Sequence, residues 1–206
     1  MRSKTFKAGV ILVVLSLSGI LFTLYPAIRE EIKYLLTNPD EDVIIYTKSD
    51  PVILDAPVIV PVDENFSIVI PKIGANSKVI QDVDPTNSKE YQQKLSLGVA
   101  HAKGTPVPGQ PGNTFLFAHS TDNILNANRY NAVFYLLNKM EEGDKFYLIY
   151  NKEKYEYTVK LAGIVDADSV SYLQGNPNRK TATLMTCWPA GTTLKRFVVV
   201  GELVEE

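Results

Sequence analysis

"TLMTCWPAGTTLKR", Thr183–Arg196, is the stretch on which the reading of this chain turns. An apolar run ends at Cys187, and a Trp188-Pro189 turn with Gly191 follows. A second apolar run, "RFVVVGELV", begins at Arg196. The pattern predicts two strands joined by a short loop, with a thiol on one lip and a cation on the other. Cys187 is the only cysteine among 206 residues.

The compartment sharpens that observation. "MRSKTFK" carries Arg2, Lys4 and Lys7, and then Ala8 to Tyr25 run without a charge. That run approaches the roughly 20 residues a helix needs to cross a bilayer. Basic residues before it, with Glu30 and Glu31 after it, orient the N-terminus inward. A cleaved signal peptide is the competing reading, but "LFTLYPAIREE" has bulky residues where a cleavage site needs small ones. The expectation is a single-pass anchor, N-terminus inside, with the rest of the chain outside the cytoplasm. Exported proteins usually pair their cysteines. A lone one is an intermolecular link, an inert core thiol or a reactive group.

Bulk composition excludes little else. Hydrophobic residues make up 45% of the chain and the formal charge is -2, so no basic excess recommends nucleic acid. "YPAIREEIKYLLTNPDED" reads as a helical continuation ended at Asn38-Pro39. Pro51, Pro57 and Pro61 then interrupt apolar runs, which disfavours central strands. This segment is read as a partly extended stalk, or as an edge segment packed along the domain. The expected organisation is a cytoplasmic tip and anchor over 1–26, a stalk over 27–62 and a folded domain over 63–206.

From Asp63 onward short strands alternate with turns. "FSIVIPKI" and "ANSKVI" flank Gly74, "TFLFAH" reads as a buried strand, and "KFYLIYN" and "KEKYEYTVKLAGIV" form a hairpin across Asn151-Lys152. "NRYNAVFYLLNKM" carries an apolar stripe at Val133, Leu136, Leu137 and Met140 that predicts a short amphipathic helix. Many short strands with few helices imply an antiparallel barrel or sandwich.

A thiol becomes useful beside a base or cation and an oxyanion stabiliser. His119 ends an apolar strand, as Cys187 does. If both ends meet at one rim, the imidazole lowers the thiol pKa and supplies thiolate. Arg196, starting the next strand, would face the same rim, and its fork of donors suits an oxyanion or a substrate carbonyl. The other histidine, His101, is read as sitting in a loop near Gly98 and Gly104. One Cys and two scattered His give no zinc spacing, and "GTPVPGQPG" is too proline-rich for a phosphate loop. No cofactor and no metal are expected. Asp82, Asp84, Asp166 and Asp168 are read as solvated loop carboxylates rather than a calcium cluster.

With these residues in view, the chain resembles the sortases, membrane-anchored cysteine transpeptidases of bacterial surfaces. "TLMTC" fits their T-L-x-T-C signature, and "GVAHAKGTPVPGQPGNTFLFAHS" fits a stretch that runs from an upstream His to the catalytic His. "IVIPKIGANSKVI" and "LLNKMEEGDKFYL" fit two further passages in the same order. The resemblance covers roughly Asn65 to Val204. It implies an eight-stranded β-barrel with short helices, preceded by a transmembrane helix. It implies Cys187 as nucleophile, His119 as its partner, Arg196 as oxyanion or substrate clamp, and His101 as non-catalytic. Thr186 is a candidate substrate contact.

The implied reaction cleaves an LPxTG-type sorting motif on secreted proteins and passes the acyl group to a cell-wall or pilin amine. Phe117-Ala118-His119 departs from the small residues that commonly precede the family's His. The short Cys-to-Arg loop with Trp188-Pro189 leans toward the class D/E-like branch. The alternatives are another exported Cys-His hydrolase and a non-catalytic surface β-barrel adaptor.

Overall fold

The computed structural model describes residues 4–36, 44–45, 58–120, 133–169 and 171–205. Helix α1, Lys4–Leu36, comes first. Within it Phe6–Tyr25 has mean hydropathy 2.3 and no residue buried against the protein, so by length and composition it is a candidate span. At 1.5 Å per residue its 20 residues reach about 30 Å, the thickness of a bilayer's hydrocarbon.

Two-residue strands β1 (Ile44–Ile45) and β2 (Val58–Ile59) pair in parallel. The barrel strands follow: β3 (Phe66–Ile70), β4 (Ala75–Val83), β5 (Val99–Ala102) and β6 (Gly112–Phe117). After them come β7 (Lys145–Tyr150), β8 (Glu153–Asp166), β9 (Lys180–Trp188) and β10 (Lys195–Leu203). Helix α2 (Ser88–Leu95) lies between β4 and β5, and α3 (Ser171–Gln174) lies between β8 and β9. The eight strands close in the order β10-β8-β7-β3-β4-β5-β6-β9, which bears out the expected barrel.

Local chemistry explains the turns. Gly74 takes φ 63 between β3 and β4, a conformation that costs glycine nothing. Asn151 and Lys152 both take positive φ in the tight β7–β8 hairpin, where the turn must match the strand twist. Asn87 caps α2 by accepting from the backbone N–H of Glu90 at 3.3 Å.

Period-two alternation fills the barrel. Ile68, Leu116, Phe146, Leu148, Leu184 and Val199 belong to one interior cluster, and each is fully buried. The pairing directions place the ends of β3, β6, β8 and β9, and the starts of β4, β5, β7 and β10, at one rim. The interior is closed by Phe134, Leu136, Leu137 and Met140, which join the same cluster ahead of β7.

Two expectations are corrected here. The apolar stripe was expected to form an amphipathic helix. Its described part, from Val133, is a turn followed by a 3-10 helix over Leu137–Lys139. The apolar spacing comes from plugging the barrel rather than from lying on a surface. The rest of that stretch lies outside the described residues. His101 is not in a loop but on β5, wholly buried. Gly98 signals a close approach instead, since a Cβ there would sit 2.4 Å from the Lys78 carbonyl oxygen.

Most of the expected stalk lies outside the described residues. Ile45 packs with Val69 and Ile149 on the outer wall of the barrel, all three buried. The Asn76 side chain donates to the Val60 carbonyl at 2.8 Å and accepts from the Val62 N–H at 3.1 Å. We propose that the barrel domain folds from Asp63 and that the contacts of Ile45, Val60 and Val62 add stability to it. Burying a side chain such as Ile45 is worth about 1.5–3 kcal/mol. A chain starting at Asp63 is therefore expected to fold but to melt below one starting at Asn38. Thermal denaturation of the two checks this, and failure of the shorter chain to fold would move the boundary upstream.

Candidate active site

Strand β9 organises the site because it is paired on both edges. It runs parallel to β6, with Leu116 opposite Leu184 and Phe117 opposite Met185, and antiparallel to β10. Ala182 and Leu184 point into the interior, so Met185 and Cys187 face the outer wall. On β10 the interior residues are Phe197 and Val199, which turns Arg196 outward. Cys187 and Arg196 are direct cross-strand partners, and such pairs have Cα atoms about 4.5–5.5 Å apart.

The β6 side brings His119 to the same place. The ladder continues past Phe117, with the Ala118 N–H donating to the Met185 carbonyl at 3.2 Å. The Thr186 hydroxyl then donates to the Ala118 carbonyl at 2.9 Å. Carrying the parallel register two residues beyond Phe117 puts His119 level with Cys187. One residue further, the Ser120 hydroxyl accepts from the Gly191 N–H at 3.4 Å, joining the His119 segment to the loop between Cys187 and Arg196.

All four residues expected from the sequence line one outer-wall groove of about 410 Å³: His119, Thr186, Cys187 and Arg196. Cys187 is a free thiol of intermediate exposure. Arg196 is held by its loop, with Nη1 donating to the carbonyls of Thr193 at 3.1 Å and Lys195 at 3.0 Å. A guanidinium carries five N–H donors, so this leaves it capacity to meet an oxyanion. The Thr186 hydroxyl is already committed to Ala118, which ties the Cys187 strand to the His119 strand.

The sequence reading missed the opposite wall. Tyr91, Gln92 and Leu95 of α2 line the groove together with Phe115, Phe117 and Met185. Tyr91 meets Phe117 edge to face, with ring centroids 6.4 Å apart. The signal was present in the Asn87 cap and in Tyr91 and Leu95 at four-residue spacing, which share a helix face. The wall makes the groove apolar away from the thiol.

His101 has a different environment. Its Nε2 lies 3.2 Å from the Pro106 carbonyl and 3.0 Å from the Thr105 hydroxyl, and its Nδ1 accepts from the Asp82 N–H at 3.4 Å. It is absent from the groove lining. Among the described residues no group of three or more His, Cys, Asp or Glu is placed to hold a metal ion. Asp84 accepts from the Thr86 hydroxyl and N–H, which hold its carboxyl below the usual carboxylate range. Asp166 faces Lys195 at 3.8 Å.

Comparison with known proteins gives the family and the fold. Residues 68–204 match the sortase domain, and the chain belongs to the sortase family. It is 26% identical over 138 residues to sortase D of Bacillus subtilis, a stretch that is 66% of this chain and 61% of that protein. It is 29% identical over 137 residues to sortase A of Listeria monocytogenes, 66% of this chain and 55% of that protein. The match thus spans less than two thirds of either relative. The fold is similar to that of Clostridium perfringens sortase C, solved with the C-terminal cell wall sorting motif. The TM-score there is 0.56 at 27% identity, over 68% of this chain and 70% of the other.

Burial pushes the His101 imidazole below its ordinary value, against smaller opposing effects from Pro106, Asp82 and Thr105. The unfolded chain therefore binds that proton more readily than the folded one. The stabilisation is complete above the unfolded value of 6.5 and is lost as pH falls below it toward the folded value. The melting temperature is expected to drop between pH 7.5 and pH 5, and to drop less in His101→Gln. Equal pH slopes in the two proteins would contradict this.

Proposed function

We propose that the chain is a membrane-anchored cysteine transpeptidase acting on secreted proteins with an LPxTG-type sorting motif. The observation that carries the reading is the convergence of Cys187, His119 and Arg196 in one groove of a sortase-family barrel. The Cys187 thiolate attacks the carbonyl carbon of the motif's Thr, and Arg196 donates to the oxygen as negative charge develops there. The Thr–Gly bond breaks, His119 gives a proton to the leaving amine, and an acyl-thioester remains on Cys187. An amine from a cell-wall precursor or a pilin lysine then attacks the thioester. Its proton passes to His119 and the thiolate leaves, so the cycle closes without a cofactor.

The apolar wall of Tyr91, Leu95 and Phe117 suits the aliphatic residue that opens such a motif. The Phe6–Tyr25 span serves as an uncleaved anchor, with Arg2, Lys4 and Lys7 inside and the barrel outside. That location brings exported substrates and envelope amines to one enzyme. Thr186 and Ser120 hold the His119 segment in register, so they position groups rather than react.

The test is steady-state transpeptidation on a small library of sorting-motif peptides with amine acceptors, read by mass spectrometry. Cys187→Ala is expected to give no product. His119→Ala should fall by about 10²–10⁴-fold, the usual worth of general acid–base help, with Arg196→Ala close behind. His101→Ala, checked for folding by circular dichroism, should keep most turnover. Hydrolysis without amine transfer in the wild type would favour a Cys-His hydrolase. Activity at the wild-type rate in folded His119→Ala would overturn the mechanism.

A further inference from the structure

The last turns of α1 do not stand clear of the barrel. Glu31 pairs with Lys139 at 3.2 Å, and the Lys139 ammonium lies 5.5 Å from the centroid of the Tyr34 ring. Tyr34 packs against the interior cluster, next to the residues that plug the barrel. Lys139 belongs to that plug, which leads into β7 at the rim where β6 and β9 end and β10 begins. The helix is therefore fixed to the catalytic rim.

Helix geometry converts this contact into a height. Glu31 lies six residues and Tyr34 nine residues beyond Tyr25, the end of the candidate span. At 1.5 Å per residue they stand about 9–14 Å above the hydrocarbon edge, and a headgroup layer takes up about 5–8 Å of that. A barrel held at those residues touches the bilayer surface. The exposed side of the same turns carries Ile28, Ile32, Leu35 and Leu36, at helical spacing and 43–82% exposed. An apolar stripe left open just beyond a span fits the lipid interface. The rim itself exposes Leu97, before β5, and Leu194, before β10, at 57% and 73%.

We propose that the barrel sits directly on the membrane with its catalytic rim toward the lipid, and that Leu97 and Leu194 contact the headgroup layer. The proposal rests on the reading of Phe6–Tyr25 as a retained span. It replaces an enzyme swinging on a long stalk with one whose groove opens beside the bilayer. The far rim, at the Asn151-Lys152 hairpin, then points away. Strands of nine residues tilted by about 40° separate the two rims by roughly 23 Å.

The experiment uses the full chain in vesicles of phosphatidylcholine and phosphatidylglycerol, with Cys187→Ala as a cysteine-free background. Single cysteines at Leu97→Cys, Leu194→Cys and Lys152→Cys carry a fluorophore, and the lipid carries a headgroup quencher. Circular dichroism checks that each is folded. Quenching is expected to be strong at 97 and 194 and weak at 152, and Lys139→Glu should reduce the difference. A retained chain quenched equally at all three sites, or most at 152, overturns the proposal alone. A folded chain released by alkaline washing of the vesicles overturns the anchor reading and the proposal with it.

Discussion

The register of β9 is the constraint on which the site depends. A side chain on a strand faces one side or the other with period two, so a one-residue slip against β6 or β10 would turn Cys187 into the barrel. Pairing on both edges prevents that slip. The buried Thr186 hydroxyl adds a cross-strand bond to Ala118, immediately before His119. Breaking that bond would leave a buried carbonyl short of a donor, a cost of about 1–3 kcal/mol. One strand thus sets the register of Cys187 against both neighbours, with Ala118 on the His119 side and Arg196 on the other.

The barrel's closure supports this arrangement from below. Interior residues such as Leu184 and Val199 hold β9 and β10 from inside, and the plug of Phe134, Leu137 and Met140 fills the mouth beneath the reactive rim. The same plug receives Tyr34 and pairs with Glu31, so the element that packs the core also seats the end of α1. Packing, the candidate site and the α1 contact converge on one end of the barrel. The outer wall is left to α2, whose Tyr91 and Leu95 shape the groove.

Much of this was legible because the signals are local. Cys187 and Arg196 bracket a loop between two apolar runs, and that alone predicts a cross-strand pair. "TFLFAH" announces a buried strand that ends at a histidine, and Asn151-Lys152 announces a hairpin. What was not legible is tertiary. His101 looked like a loop residue because glycines flank it, yet Gly98 serves a close approach to Lys78 and the imidazole is satisfied by Thr105, Pro106 and the Asp82 N–H. The stripe from Val133 to Met140 has helical spacing because its side chains reach into a barrel mouth, which no periodicity can tell from an amphipathic face. The cross-strand bond of Thr186 also escaped, since nothing local announces that its hydroxyl reaches the Ala118 carbonyl.

The central claim is that the reactive group is the thiol held opposite Arg196. The most direct test is to incubate the folded protein with a sorting-motif peptide, omit the amine, and map the adduct by tandem mass spectrometry. The account predicts an acyl mass on the fragment containing Cys187, ending at the motif's Thr and released by hydroxylamine. An adduct on any other residue, or peptide cleavage that persists in Cys187→Ala, would contradict it.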